Sequence, residues 1–175
     1  MFSRHVTDQI ALQLAVPFYA EPLFQLTERN RSYLRRWLPW LDAVTQVDHT
    51  RRFLVAQLDR FAKGEALCTL VFWEQELVGV AGFHTIDAVN RIGTIGYWLS
   101  ETFTGRGIMT RAVHALIDIG QQFYVLQRFE IRCAVENHAS RAIPQRLGFQ
   151  YEGTLRRSER IYDRWHDMAV YALLR

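Results

Sequence analysis

The feature that most constrains this chain is a change of pattern near residue 100. Upstream lie three apolar runs, ALCTLVFW (66–73), LVGVAGFHTI (77–86) and RIGTIGYWLS (91–100), joined only by Glu74 to Glu76 and by Asp87 to Asn90. Short polar joints between β-branched and aromatic runs predict hairpins, so the three read as an antiparallel meander. Downstream the chain passes through F-T-G-R-G-I-M-T-R-A into a helix predicted from Gly107 to about Phe123, then into a strand, RFEIRCAV, over 128–135. Strand, helix and strand in succession form a crossover, which joins parallel strands. A crossover embedded in a meander predicts an α+β fold with one mixed, mostly antiparallel sheet flanked by helices.

The rest of the chain fits around that centre. IALQLAVP (10–17) alternates like a first strand, and the segment from Tyr19 to about Arg36 carries helical spacing with a break near Asn30. Trp37 to Leu41 punctuate the chain before a helix over 49–63, closed by Gly64. A short helix over 138–147 and strands over 149–156 and 166–174 complete the pattern. No repeat or Gly/Ser/Pro-rich linker interrupts it, so residues 1–175 read as a single domain. At 175 residues and 49% hydrophobic composition, such a domain can bury a core without disulfides or metals. Cys68 and Cys133 lie far apart with no metal-spaced partner, and no apolar run is long enough to span a bilayer, so a soluble cytoplasmic protein is expected. The net charge of +3 is mild, although Lys63 is the only lysine and every other basic side chain is an arginine. That balance suits phosphate-bearing or acidic partners but does not require nucleic acid.

Gly105 and Gly107, flanking Arg106, stand where a strand turns into a helix. Glycines let the backbone approach a ligand closely, and the free N–H groups of a helix's first turn attract a pyrophosphate. The segment is neither a Walker loop nor G-x-G-x-x-G, since Thr110 stands at the third glycine position. A second constellation is C-A-V-E-N-H-A-S-R-A-I-P-Q-R-L-G-F. Asn137 is suited to cap the short helix, Ser140 falls on its first turn, and Pro144 removes the N–H that the Ser140 carbonyl would accept.

These motifs resemble the GNAT superfamily of acetyl-CoA-dependent N-acetyltransferases, and within it the Rim-type ribosomal-protein N-terminal acetyltransferases. The resemblance covers W-L-P-W (Trp37 to Trp40), G-Y-W-L (Gly96 to Leu99), G-R-G-I-M-T (Gly105 to Thr110), E-N-x-x-S-R-A (Glu136 to Ala142), L-G-F (Leu147 to Phe149) and E-G-T-L-R (Glu152 to Arg156). Of the usual pyrophosphate pattern [QR]-x-x-G-x-[GA], the glycines match, whereas Thr102 replaces the Gln or Arg. Thr104 replaces a common aromatic residue.

The resemblance implies that strands 91–100 and 128–135 are adjacent, parallel and splayed, holding acetyl-CoA as a co-substrate between them. Main-chain groups near Leu99 and Ser100 would then meet the thioester. N–H groups from Gly105, Arg106, Gly107, Ile108, Met109 and Thr110 would meet the pyrophosphate, and Asn137 would help to hold pantetheine. The Tyr that many members use as acid is replaced here by Pro144; the resemblance to the Rim-type subgroup implies instead Ser140, three after Asn137, as the acid and Glu159, shortly after G-T-L-R, as the base. Arg156, Arg157 and Arg160 are expected around Glu159, where they would lower its basicity. His84 and His138 are lesser candidates for the base. Tyr97 and Trp98 are assigned to packing, while Trp37 and Trp40 are assigned to the acceptor side or to stapling the first helices to the core. The implied acceptor is the α-amine of a protein N-terminus, in a subgroup whose members often form homodimers. The alternatives are a polyamine or antibiotic acceptor, or a non-catalytic acyl-CoA-binding module.

Overall fold

The computed structural model describes residues 3–175. Its elements are β1 (Ser3–His5), β2 (Ile10–Leu14), α1 (Ala20–Arg29), α2 (Arg31–Leu34), α3 (Val47–Ala62), β3 (Leu67–Trp73), β4 (Glu76–Asp87), β5 (Ile92–Leu99), α4 (Ile108–Tyr124), β6 (Arg128–Ala134), α5 (His138–Arg146), β7 (Gln150–Ile161) and β8 (Arg164–Leu174). The strands form one sheet in the order β1-β2-β3-β4-β5-β6-β8-β7. Every neighbouring pair is antiparallel except β5 and β6, the pair joined by the α4 crossover. None of the helices is long and apolar enough to cross a membrane, among the described residues.

Alternation along the strands divides the core between the two faces of the sheet. On one face Phe83, Ile95, Phe129 and Tyr171 pack against the apolar side of α4, with Tyr97 and Leu99 at the margin. On the other, Leu70 and Phe72 meet Leu23 and Leu26 of α1 and Leu54 of α3, with Trp98 at the margin.

Two irregularities depart from the pattern read in the sequence. The β3–β4 joint is only Glu74 and Gln75, both at positive φ, as a two-residue hairpin of primed type requires. The strand expected to end at residue 156 continues to Ile161. Between the pairs Leu155↔Met168 and Glu159↔His166, β7 advances four residues while β8 advances two. The surplus forms a bulge in which Arg157 takes φ 49 and its N–H donates to Asp167 Oδ1 at 2.7 Å. Such a bulge rotates the residues beyond it, and here it sets Glu159 opposite His166.

Candidate active site

The parallel pairing is short. β5 and β6 are in register from Ile92↔Arg128 to Ile95↔Ile131, and there the ladder stops although both strands run on. β5 stays paired with β4 as far as Leu99, and β6 with β8 as far as Ala134. The two inner edges therefore part at Gly96, leaving main-chain groups of β5 without a strand partner. The Ser100 N–H donates to Val78 O at 2.8 Å, on the β4 side. Alternation then turns the main chain of Leu99 and Tyr97 toward the gap. Of the two residues assigned to the thioester, Leu99 presents backbone there, whereas the Ser100 N–H is committed. The Ser100 hydroxyl donates to Asn30 Oδ1 at 3.2 Å, and that same oxygen accepts the Glu101 N–H at 2.9 Å, fixing the exit of β5 to the break between α1 and α2.

The loop beyond β5 ends at Gly107, which has φ +72 and caps α4 with no side chain. The first bond into this helix runs from the Arg111 N–H to Gly107 O at 3.2 Å, so the N–H groups of Ile108, Met109 and Thr110 point outward at the positive end of the dipole. Gly105, Gly107, Ile108, Met109 and Thr110 all line the main cavity. The Arg106 side chain lies outside that lining, over the Phe103 ring at 5.0 Å, with Nη2 donating to Thr102 O. Arg111, not singled out from the sequence, lines the cavity instead and donates from Nη1 to Arg106 O at 3.2 Å.

Asn137 Oδ1 accepts the Ser140 N–H at 3.2 Å and caps α5. Pro144 leaves the Ser140 carbonyl without its helical donor, and the Tyr97 hydroxyl supplies one at 2.9 Å. The same hydroxyl lies 3.4 Å from Ser140 Oγ. Tyr97, assigned to packing from the sequence, is thus the residue that holds Ser140 on the edge of the gap. Its own hydroxyl is pushed well above the ordinary phenol range by burial, so it stays protonated. Cys133 lines the same wall, and burial pushes its thiol up to about 11.

Glu159 approaches from the opposite face. It is half-buried, and burial raises its carboxyl above the ordinary range, with an opposing pull from His166. Among the described residues none of the three expected arginines forms an ion pair with it. Arg157 turns over Trp165 at 5.7 Å, and Arg160 reaches Asp163 at 3.9 Å. Neighbours in sequence along a bulged strand project in different directions, so proximity in sequence did not become proximity in space. Trp37 and Trp40 line the chamber beside Glu159, and Leu38 O accepts the Tyr162 hydroxyl at 3.0 Å, so this segment both lines and staples. The His84 ring covers Gly96, where any Cβ would collide with it. Its pKa is lowered by burial and by Arg60. His138 is exposed and lies outside the cavity lining.

One continuous cavity of about 1420 Å³ joins these groups through the gap. That exceeds the roughly 300–1,000 Å³ of a single small-ligand site and suits two substrates meeting within the sheet. An acyl thioester with a long arm fits the observed features: strand edges without partners, outward helix N–H groups and a passage between the faces.

A family model for an acetyltransferase (GNAT) domain matches residues 12–150. The ribosomal-protein-serine acetyltransferase of Escherichia coli (strain K12) is 34% identical over 167 residues, covering 95% of this chain and 93% of that protein. Among solved structures, RimL, a ribosomal L7/L12 alpha-N-protein acetyltransferase in complex with coenzyme A, superposes with a TM-score of 0.96 at 32% identity, covering 99% of this chain and 98% of that one. The microcin C7 self-immunity acetyltransferase MccE, in complex with acetyl-CoA and AMP, superposes with a TM-score of 0.93 at 31% identity, covering 97% and 94%. The chain belongs to the GNAT family of acetyl-CoA-dependent N-acetyltransferases.

Proposed function

We propose that this enzyme acetylates the N-terminal α-amine of a ribosomal protein in the cytoplasm, by direct attack of the amine on acetyl-CoA within a ternary complex. The observation that carries this reading is the cavity itself, which brings Glu159 to one face of the sheet and Ser140 to the other with the β5–β6 gap between them. Acetyl-CoA supplies an activated thioester and, after transfer, a thiolate to be protonated. Leu99 and Tyr97 offer main-chain groups to the pantetheine arm as an added strand would, and Asn137 flanks it. Gly105 to Thr110 offer their N–H groups to the pyrophosphate, with Arg111 beside them.

The acceptor enters between Trp37, Trp40 and Glu159, where the aromatic walls exclude water. Glu159, with its affinity for protons raised by burial, takes the ammonium proton so that the nitrogen can attack. Ser140 Oγ–H, freed from its long contact with Tyr97, donates to the leaving sulfur. A second reading, acetylation of a small-molecule amine, is favoured by the similarity to MccE and by the size of the acceptor chamber.

A thiol-release assay with acetyl-CoA separates the two. Peptides beginning with the N-termini of ribosomal proteins should turn over faster than spermidine or an aminoglycoside. Release with the small amines alone would refute the peptide reading, and coenzyme A binding without release by any acceptor would refute catalysis.

A further inference from the structure

His166 on β8 plays no part in the reading so far, yet it lines a second cavity while its cross-strand neighbour Glu159 lines the first. It is 6% exposed, and the Trp37 ring lies beside it at 6.3 Å between centroids. It is directly opposite Glu159 in the β7–β8 ladder, so imidazole and carboxylate share one face of the sheet as cross-strand neighbours. On its other side, His166 Nδ1 lies 3.3 Å from Glu136 Oε2 but completes no hydrogen bond to it, among the described residues. The Glu136 side chain is 51% exposed, and its Oε1 accepts from Arg164 Nη2 at 2.8 Å. Glu136, Arg164 and His166 line a second cavity of about 440 Å³, and Trp37 borders both cavities.

The other charged residues lining the second cavity are Arg35, paired with Asp42 at 2.7 Å, and Arg36, both just beyond α2, and Asp163 between β7 and β8. A buried ring nitrogen 3.3 Å from a carboxylate without a completed bond is an uncommon arrangement in a folded protein and calls for a functional reason.

The stoichiometry supplies one. An ammonium and a thioester give an amide, a thiol and one released proton. A base facing a chamber filled by the acceptor must discharge that proton elsewhere before the next turnover. We propose that His166 is a positioning and relay residue that passes the proton from Glu159 to Glu136, and so to water in the second cavity. This inference rests on Glu159 acting as the base. No hydrogen bond or ion pair joins Glu159 and His166 directly among the described residues, so the proton leaves the ammonium nitrogen for the Glu159 carboxylate and reaches His166 Nε2 through one water, while the Nδ1 proton passes to Glu136 and on to water. The ring gives up one proton for each it takes up, and exchange with water returns it to its starting tautomer. No bonds other than N–H and O–H are made or broken along the relay.

The test uses the full chain, acetyl-CoA and an N-terminal-serine peptide, with His166→Gln, His166→Ala, Glu136→Gln and Glu159→Gln compared at saturating substrates. The relay predicts that His166→Gln lowers kcat roughly 10- to 100-fold with both KM values within about twofold of wild type, at or below the lower end of the effect of a group that transfers the substrate's proton directly. Glu136→Gln lowers kcat in the same direction by a smaller factor. Added imidazole restores turnover to His166→Ala, whereas pyrrole, which fills the same space without a proton-accepting nitrogen, does not; equal rescue by both overturns the relay. Wild-type kcat in His166→Gln beside an inactive Glu159→Gln overturns the relay and leaves Glu159 as base. Wild-type kcat in Glu159→Gln overturns the base assignment and the relay with it. If the substitutions at 166 prevent folding, the exposed Glu136→Gln decides, and an unchanged kcat there overturns the relay.

Discussion

Replacing Tyr97 by Phe removes one oxygen and tests how Ser140 is held. The lost hydroxyl donates to the Ser140 carbonyl at 2.9 Å and lies 3.4 Å from Ser140 Oγ. Because residue 144 is proline, no helical N–H can take over, and a partly buried carbonyl is left unpaired at a cost of about 1–2 kcal/mol. In a Pro144→Ala background the restored N–H lies four residues on from that carbonyl and can close the helical bond. There the same Tyr97→Phe change forfeits only the long hydroxyl contact, about 0.5 kcal/mol or less. The two substitutions should therefore be coupled by about 1 kcal/mol in a double-mutant cycle. At a urea slope of about 2 kcal/mol/M, that is about half a molar in the unfolding midpoint. Equilibrium urea unfolding of the four proteins measures it. Acetyl transfer by Tyr97→Phe should slow about tenfold, equivalent to about 1.4 kcal/mol of transition-state stabilisation, as Ser140 loses its anchor. An equal cost of Tyr97→Phe in both backgrounds would show that the hydroxyl does not substitute for the missing N–H, and the account of how Ser140 is positioned would fail.

Burial raises the Glu159 pKa in the folded protein above its unfolded value, so the folded state binds more protons in the window between the two. Stability conferred by this group is therefore lost as pH rises through that window. Glu159→Gln should be at least as stable as wild type at pH values above the window, by urea midpoint, while losing about 10²-fold in kcat. A Glu159→Gln protein less stable than wild type in alkaline buffer would contradict the burial argument. Gly107→Ala forces a Cβ into a residue at φ +72, with Arg111 Nη1 2.8 Å from the new atom, and should cost about 1 kcal/mol. Its effect on catalysis should fall on KM for acetyl-CoA, because the displaced groups belong to the cradle and not to Glu159 or Ser140. An unchanged KM would refute the cradle assignment. Asn30→Ala leaves the Glu101 N–H, the Ser100 hydroxyl and the Leu26 carbonyl without their partner, and should destabilise by roughly 2–3 kcal/mol in thermal or urea unfolding. A loss below about 0.5 kcal/mol would mean that water replaces the amide.

The parts legible in the sequence were those set by short-range pattern. The meander and the crossover follow from apolar runs and their joints, and the break at Asn30 lies between α1 and α2 as the spacing predicts. β1, three residues long, carries too little alternation to be read, and β7 beyond residue 156 is charged and owes its strand form to pairing with β8. The site divides in the same way. The glycine-flanked helix start was readable because glycine at φ +72 and a helix start without a side-chain cap are local facts. Proline at 144 showed that the Ser140 carbonyl lacked a donor, but the donor lies 43 positions upstream on a strand whose side-chain directions depend on the whole sheet. Three arginines and a glutamate in close succession looked like an ion cluster until a bulge of two residues turned Glu159 toward His166 and Arg157 toward Trp165. Alternation can be read along one strand, whereas a register shift belongs to a pair of strands. The proposed acid–base roles depend on that shift, because it decides whether a guanidinium or an imidazole faces Glu159.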